Sequence, residues 1–198
     1  MGVVRFLAKL NRAMSDTQWP RFEVFQQDKE GEPHYNAGSV HAPDGEMALL
    51  NARDVFARRP RCHSMWVVPE SAITAWSFQE LVEGVWQDDD AAAPSPPQPY
   101  AIFSKELNTR NTLEYVIFQG ELLATSPQNA LQQAIHQFNQ GVLVTVWWVV
   151  PTQAITRSEP DEASSFYAPA LDKVYRQPNH YHTRTALESY RQTAGKES

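Results

Sequence analysis

The side chains that could carry chemistry in this chain are few. There are six histidines, at positions 34, 41, 63, 136, 180 and 182, and a single cysteine, Cys62. Only His180 and His182 are close in sequence, with one residue between them. That spacing can ligate a metal from a strand, but structural zinc sites need four ligands and catalytic ones three. No carboxylate or thiolate cluster accompanies the pair, so it reads as two solvated histidines. No Glu-x-x-His occurs anywhere, so the helix-borne ligand pair of di-iron carboxylate bundles is missing. The eight glycines are scattered singly and form no phosphate-cradling loop. Neither a metal nor an organic cofactor is expected. Cys62 lies beside Arg59, Arg61 and His63, cations that could lower a thiol pKa. A lone thiol at the start of a strand is more often inert, and no catalytic residue is assigned. The basic cluster Arg53, Arg58, Arg59 and Arg61 stands out against a net charge of −6. It suits either a solvated helix C-terminus or a docking patch for a partner's carboxylates or a ligand's phosphates.

The elements that must hold these residues come from an internal repeat. Trp66-Val67-Val68-Pro69 recurs as Trp148-Val149-Val150-Pro151, and Ala72-Ile73-Thr74 as Ala154-Ile155-Thr156, both 82 residues later. The same shift carries Ala48, Leu49, Ala52 and Phe56 onto Ala130, Leu131, Ala134 and Phe138, giving 11 identities over the 29 positions 46–74. Upstream, Phe22-Glu23-Val24-Phe25 matches Tyr100-Ala101-Ile102-Phe103 at a shift of 78, so an insertion of four falls around residues 108–113. A fixed offset of this kind marks a duplicated structural unit.

Each copy reads as strand, turn, strand, helix, strand. Alternation over 22–27 gives a half-buried strand. The breaker-rich run 28–33 is a hairpin turn, and 35–41 the returning strand. Asp44 and Ser126 are N-caps, the second followed by Pro127 at N1. Helices then place Ala48, Leu49, Ala52, Val55 and Phe56 on one face, and Ala130, Leu131, Ala134, Ile135 and Phe138 likewise. The apolar runs 65–68 and 142–150 are third strands, closed by Pro69 and Pro151. Residues 75–87 form a short helix on the spacing of Phe78, Leu81, Val82, Val85 and Trp86. A unit of about 55 residues is small for a core of its own. The expected fold is therefore α+β, two ββαβ repeats making a pseudo-dimer with antiparallel sheet. The divisions are an extension at 1–18, a first repeat at 19–87, a proline-rich linker at 88–99, a second repeat at 100–156 and an extended C-terminal tail at 157–198. Trp66, Trp147 and Trp148 on the third strands are expected in core packing, with an intersubunit seam as the alternative.

Composition narrows the class. At 198 residues and 42% hydrophobic content the chain suits a folded domain. No apolar run approaches the roughly 20 residues of a membrane helix, and an acidic chain repels a phosphate backbone. Neither membrane nor nucleic acid is expected as a partner. One cysteine fits a reducing cytoplasm. The first ten residues are basic and apolar but lack the core and cleavage site of a signal peptide. Met14 is a plausible second start.

Several runs in the first copy resemble the B component of the bacterial multicomponent phenylacetyl-CoA ring epoxidase, the PaaB family. They are Trp19-Pro20-Arg21-Phe22-Glu23-Val24-Phe25, Gly38-Ser39-Val40-His41-Ala42, Glu46-Met47-Ala48-Leu49, Asn51-Ala52-Arg53-Asp54-Val55-Phe56, Arg58-Arg59 and Trp66-Val67-Val68-Pro69. The family's ending follows the second copy: Ile155-Thr156, Ser158, Pro160-Asp161-Glu162, Phe166, Pro169-Ala170, Asp172-Lys173-Val174-Tyr175-Arg176, Pro178 and Tyr181. The resemblance implies a non-catalytic accessory or bridging subunit in aerobic phenylacetate degradation. Its implied partners are a di-iron catalytic subunit, a structural subunit and a reductase. Ordinary members carry one repeat, so this chain looks like two such components fused, one chain in place of a homodimer. The candidate partner contacts are Arg53, Arg58, Arg59 and Arg61, and in the tail motif Asp172, Lys173, Tyr175 and Arg176. The alternative is a self-sufficient small enzyme of α+β-barrel build, a cofactor-free monooxygenase or isomerase with a deep pocket between the halves.

Overall fold

A computed structural model describes residues 18–57, 62–84, 96–107, 115–139, 143–159, 161 and 163–171. The hairpin of the first copy is β1 (Arg21–Gln27) and β2 (Tyr35–His41), followed by helix α1 (Gly45–Phe56) and strand β3 (Ser64–Pro69). The second copy repeats the order as β5 (Gln98–Glu106), β6 (Ile117–Ala124), α3 (Pro127–Phe138) and β7 (Val144–Pro151). Between them lie β4 (Thr74–Ser77) and the one-turn helix α2 (Phe78–Val82). After β7 come β8 (Thr156–Arg157) and two short turns of helix, α4 (Ala163–Phe166) and α5 (Ala168–Leu171).

The N-caps behave as the sequence dictates. Asp44 Oδ1 accepts from Met47 N–H at 2.8 Å and Ser126 Oγ from Asn129 N–H at 3.1 Å. Each satisfies a donor that the first turn leaves without an intrahelical partner, worth about 1 kcal/mol. Pro69 and Pro151 are the last residues of their strands, each opening a single 3-10 turn.

The expectation of a helix over 75–87 is corrected at its start. Thr74–Ser77 is a strand, and the helix begins at Phe78 behind a capping box of Ser77 and Glu80. Residues beyond Gly84 in that stretch lie outside the described residues. The apolar period in 78–82 is real, but β4 is fixed by a partner some 70 residues away, which no local pattern encodes.

All strands join one antiparallel sheet in the order β4-β7-β5-β6-β2-β1-β3-β8. That order shows an exchange of edges. β4, which follows the first copy, pairs with β7 of the second, Thr74 facing Val149. β8, which follows the second copy, pairs with β3 of the first, Thr156 facing Val67. Both members of one pair map onto the other by the 82-residue shift. Besides the exchanged edges, β2 and β6 pair across the halves at Tyr35–Ile117, with Asn36 N–H donating to Val116 O and Phe118 N–H to His34 O, both at 2.8 Å.

Three apolar layers result. α1 covers one face of the first half over Phe22, Val24, Met65 and Val67, and α3 covers the second over Tyr100, Ile102, Trp147 and Val149. The other faces pack against each other through Phe25, Val68, Ala101, Phe103, Val116 and Val150. Phe25 and Phe103, equivalent under the repeat, lie 4.2 Å apart centroid to centroid, where a pseudo-twofold axis must pass. Burial of one such ring against leaving it wet stabilises by about 2–3 kcal/mol, so the middle layer supplies what a lone 55-residue unit lacks.

The helices seat over glycines. A register shift between Val24 and Phe25 is repeated between Ile102 and Phe103, and opposite them stand Gly38 (φ 138°) and Gly120 (φ 155°). A Cβ on Gly38 would meet Phe56 Cζ at 2.8 Å, and one on Gly120 would meet Phe138 Cζ at 3.0 Å. Glycine is required for backbone conformation and ring approach together.

The exchange extends to side chains. Tyr167, beyond β8, is buried against the first half, its Oη donating to Ser158 Oγ at 3.2 Å, while that same oxygen accepts from Met65 N–H at 3.0 Å. In the second half the position equivalent to Ser158 is Trp76, which is itself buried on Trp147.

Candidate functional site

The seam between the two sheet halves contains two pseudo-equivalent places, one at each third-strand tryptophan. They have diverged. At Trp66, the cross-strand neighbour is Arg157, whose guanidinium carbon lies 4.6 Å from the indole centroid. The same guanidinium reaches Glu121 Oε1 of the second half at 2.5 Å. On Trp66 also stacks His34, at 3.7 Å and 22°, with Phe118 edge-on at 5.0 Å. His34 is buried, its Nε2 3.1 Å from Ser64 Oγ. Burial, then the nearby charges of Arg157 and His63, pull its pKa down to about 4. This place is full.

At Trp148 the neighbour in the same register is Ala75. The positions of His34 and Phe118 are taken by Val116 and Asn36. A cavity of about 550 Å³ remains, walled by Trp148, Ile73, Ala75 and Val116 and by the polar side chains of Arg21, Glu23, Asn36, Glu70 and Lys105. That volume is in the range of small-ligand sites. Glu23 is buried but fully engaged: Arg21 holds Oε1 at 2.7 Å and Asn36 Nδ2 donates to Oε2 at 3.0 Å. Arg21 also lies 4.0 Å from Glu70.

Of the candidate contacts named from sequence, only Arg53 falls among the described residues. Its side chain is 20% exposed, pairs with Asp54 Oδ1 at 3.1 Å and lies 5.2 Å over the Phe166 ring. It therefore ties the post-β8 segment to α1. Arg58, Arg59, Arg61, Asp172, Lys173, Tyr175 and Arg176 lie outside the described residues, as do His180, His182 and the insertion at 108–113. Cys62 packs against the first core, and burial pushes its thiol up to about 11, with the Asp28 charge adding to it, in keeping with the inert thiol expected from sequence. Trp147 is core beneath α3, whereas Trp66 and Trp148 pack at the seam. Among the described residues no three of His, Cys, Asp and Glu are grouped to hold a metal, and no helix there is long and apolar enough to cross a membrane.

The seam residues His34, Lys105 and Arg157 were not singled out by sequence reasoning. The signal was present in the repeat itself: tryptophan is kept in both copies while its neighbour changes from Arg157 to Ala75.

Comparison with known proteins agrees with the duplication. The family model described as phenylacetic acid degradation B matches twice, over residues 18–91 and 98–188. The B component of the 1,2-phenylacetyl-CoA epoxidase of Escherichia coli (strain K12) is 50% identical over 70 residues, which is 35% of this chain and 74% of that protein. No solved structure matches. With both halves of the polypeptide matched, and the two halves folded as one pseudo-symmetric body, the chain belongs to the phenylacetic acid degradation B (PaaB) family in a tandem form.

Proposed function

We propose that this chain is a non-catalytic accessory subunit of a phenylacetyl-CoA epoxidase, bridging the di-iron catalytic subunit and the structural subunit and offering a face to the reductase. The observation that carries this is the 70-residue, 50% identity to a protein named as the B component of that epoxidase. Divergence of the two helices supports a partner face on one half. α1 leaves Met47 and Leu50 exposed by about two-fifths each, and Val55, expected on the core face, lies at its flank and is exposed to the same degree. Their equivalents on α3 are Asn129, Gln132 and Gln137. Apolar side chains left exposed on one of two matched helices are what an interface core needs. Arg58, Arg59 and Arg61 follow that helix in the chain and are the candidate charged rim, with Asp172, Lys173, Tyr175 and Arg176 of the tail. The duplication replaces a pair of single-repeat subunits with one polypeptide and lets its two faces differ.

The test is affinity capture of the tagged full chain from its native cytosol, read by mass spectrometry, beside turnover assays. Co-recovery of oxygenase subunits, with no epoxidation by the purified chain alone, is expected. Epoxidation by the chain alone, or capture without any oxygenase subunit, refutes the proposal. Arg58→Glu with Arg59→Glu is expected to weaken capture without changing the melting temperature.

A further inference from the structure

The open place at Trp148 differs from the full one at Trp66 in charge as well as space. Its two carboxylates, Glu23 and Glu70, both lie against the single guanidinium of Arg21. Lys105 also lines the cavity, is partly buried, and makes no ion pair with any described residue. The first half has Gln27 at the equivalent position, with its amide donating to Glu32 O at 2.6 Å. Among the described residues, a cation with no ion pair and a cavity thus occur together beside Trp148.

An ammonium in a partly enclosed, low-dielectric space draws an anion more strongly than the same group in water. Part of the wall is apolar: Trp148, with Ile73, Ala75 and Val116. We infer that this cavity is a binding site for a small aromatic monoanion, its charged end on Lys105 and its ring against Trp148. Glu23 and Glu70 share the space, so a carboxylate is favoured over the dianion of a phosphate ester. The site needs no catalytic role and does not rest on the accessory function proposed above.

The experiment is titration of the purified full chain, followed by the Trp148 indole N–H resonance, assigned through Trp148→Phe. The probes are benzoate, the uncharged benzamide and phenyl phosphate. Benzoate is expected to saturate the shift and to bind at least about tenfold more tightly than benzamide, the size of a charge-assisted contact. Phenyl phosphate is expected to bind more weakly than benzoate. Lys105→Gln, which installs the residue of the first half, should erase the preference for benzoate. Ala75→Leu should weaken benzoate by a similar factor by filling the space beside the indole. A non-saturating shift, equal binding of benzamide, tightest binding of phenyl phosphate, or an unchanged benzoate affinity in Lys105→Gln overturns the inference. Lys105→Gln alone decides the matter if the leucine variant fails to fold.

Discussion

Acid should loosen the seam through His34. The imidazole is sandwiched at 3.7 Å on Trp66, meets Phe118 edge-on at 6.5 Å, and is 6% exposed. Burial is the main reason its pKa falls from 6.5 to about 4, with the charges of Arg157 and His63 adding to it. Between those two values the unfolded chain binds a proton that the folded chain refuses. The stability contributed by a neutral His34 is therefore complete above pH 6.5 and is lost as pH falls towards 4. At 1.36 kcal/mol per unit, a displacement of this size costs about 2–3 kcal/mol by pH 4.5. The measurement is urea unfolding from pH 7.5 to 4.5 for the wild type and His34→Phe, which keeps a flat ring on Trp66 but cannot titrate. Other groups titrate in both proteins, so the difference between the two curves isolates His34. The wild type should lose about 2–3 kcal/mol more than the variant over the window, with the slope difference approaching one proton near pH 5. Parallel curves, agreeing within about 0.5 kcal/mol, would show that the ring is not held neutral by the fold and would refute the reasoning.

Other expectations can be checked by similar means. Gly38→Ala and Gly120→Ala should each destabilise by about 2–3 kcal/mol in urea melts, because each adds a left-handed strain and a contact with a phenylalanine ring. The two costs should be alike, since the sites are equivalent. Leu131→Ala, at a fully buried position, should cost about 2–5 kcal/mol. A double-mutant cycle on Arg157 and Glu121, both 40% exposed, should return a coupling below about 1 kcal/mol despite the short contact. Cleavage at a protease site introduced at Ala92 should leave the two fragments co-eluting under native conditions, because each supplies an edge strand to the other. Fragments that separate and keep their structure would contradict the exchanged-edge arrangement.

The repeat units could be read from sequence because their determinants are local. The caps at Asp44 and Ser126, the turn at 28–33 and the helix faces of Ala48 and Ala130 each act within a few residues. The need for the units to complete one another followed from their size. What sequence did not reveal was which strand completes which sheet. Four residues, Thr74–Ser77, carry too short a pattern to outweigh the helical period beside them, and their partner β7 is distant in the chain. The seam was hidden for a related reason. Lys105, Arg21 and Ala75 meet only after both halves are folded, so no spacing among them signals a site. The burial that raises the Cys62 thiol pKa is likewise invisible in the local sequence.

The exchanged edges also set an order of events on the ribosome. The outer edge of β3 has no partner until Thr156–Arg157 has been synthesised, nearly ninety residues after β3 itself. Until then the first half emerges with an open row of backbone donors and acceptors beside an apolar face, the usual template for strand addition between chains. Two nascent copies on one message, each holding a β4 that fits β7 and a β3 that waits for β8, can close on each other as well as on themselves, although the tether favours closure within one chain. A tandem gene thus gains a fixed one-to-one ratio of its halves and, with it, a standing hazard of intertwined dimers. How closely the two synthesis times follow one another decides which outcome prevails.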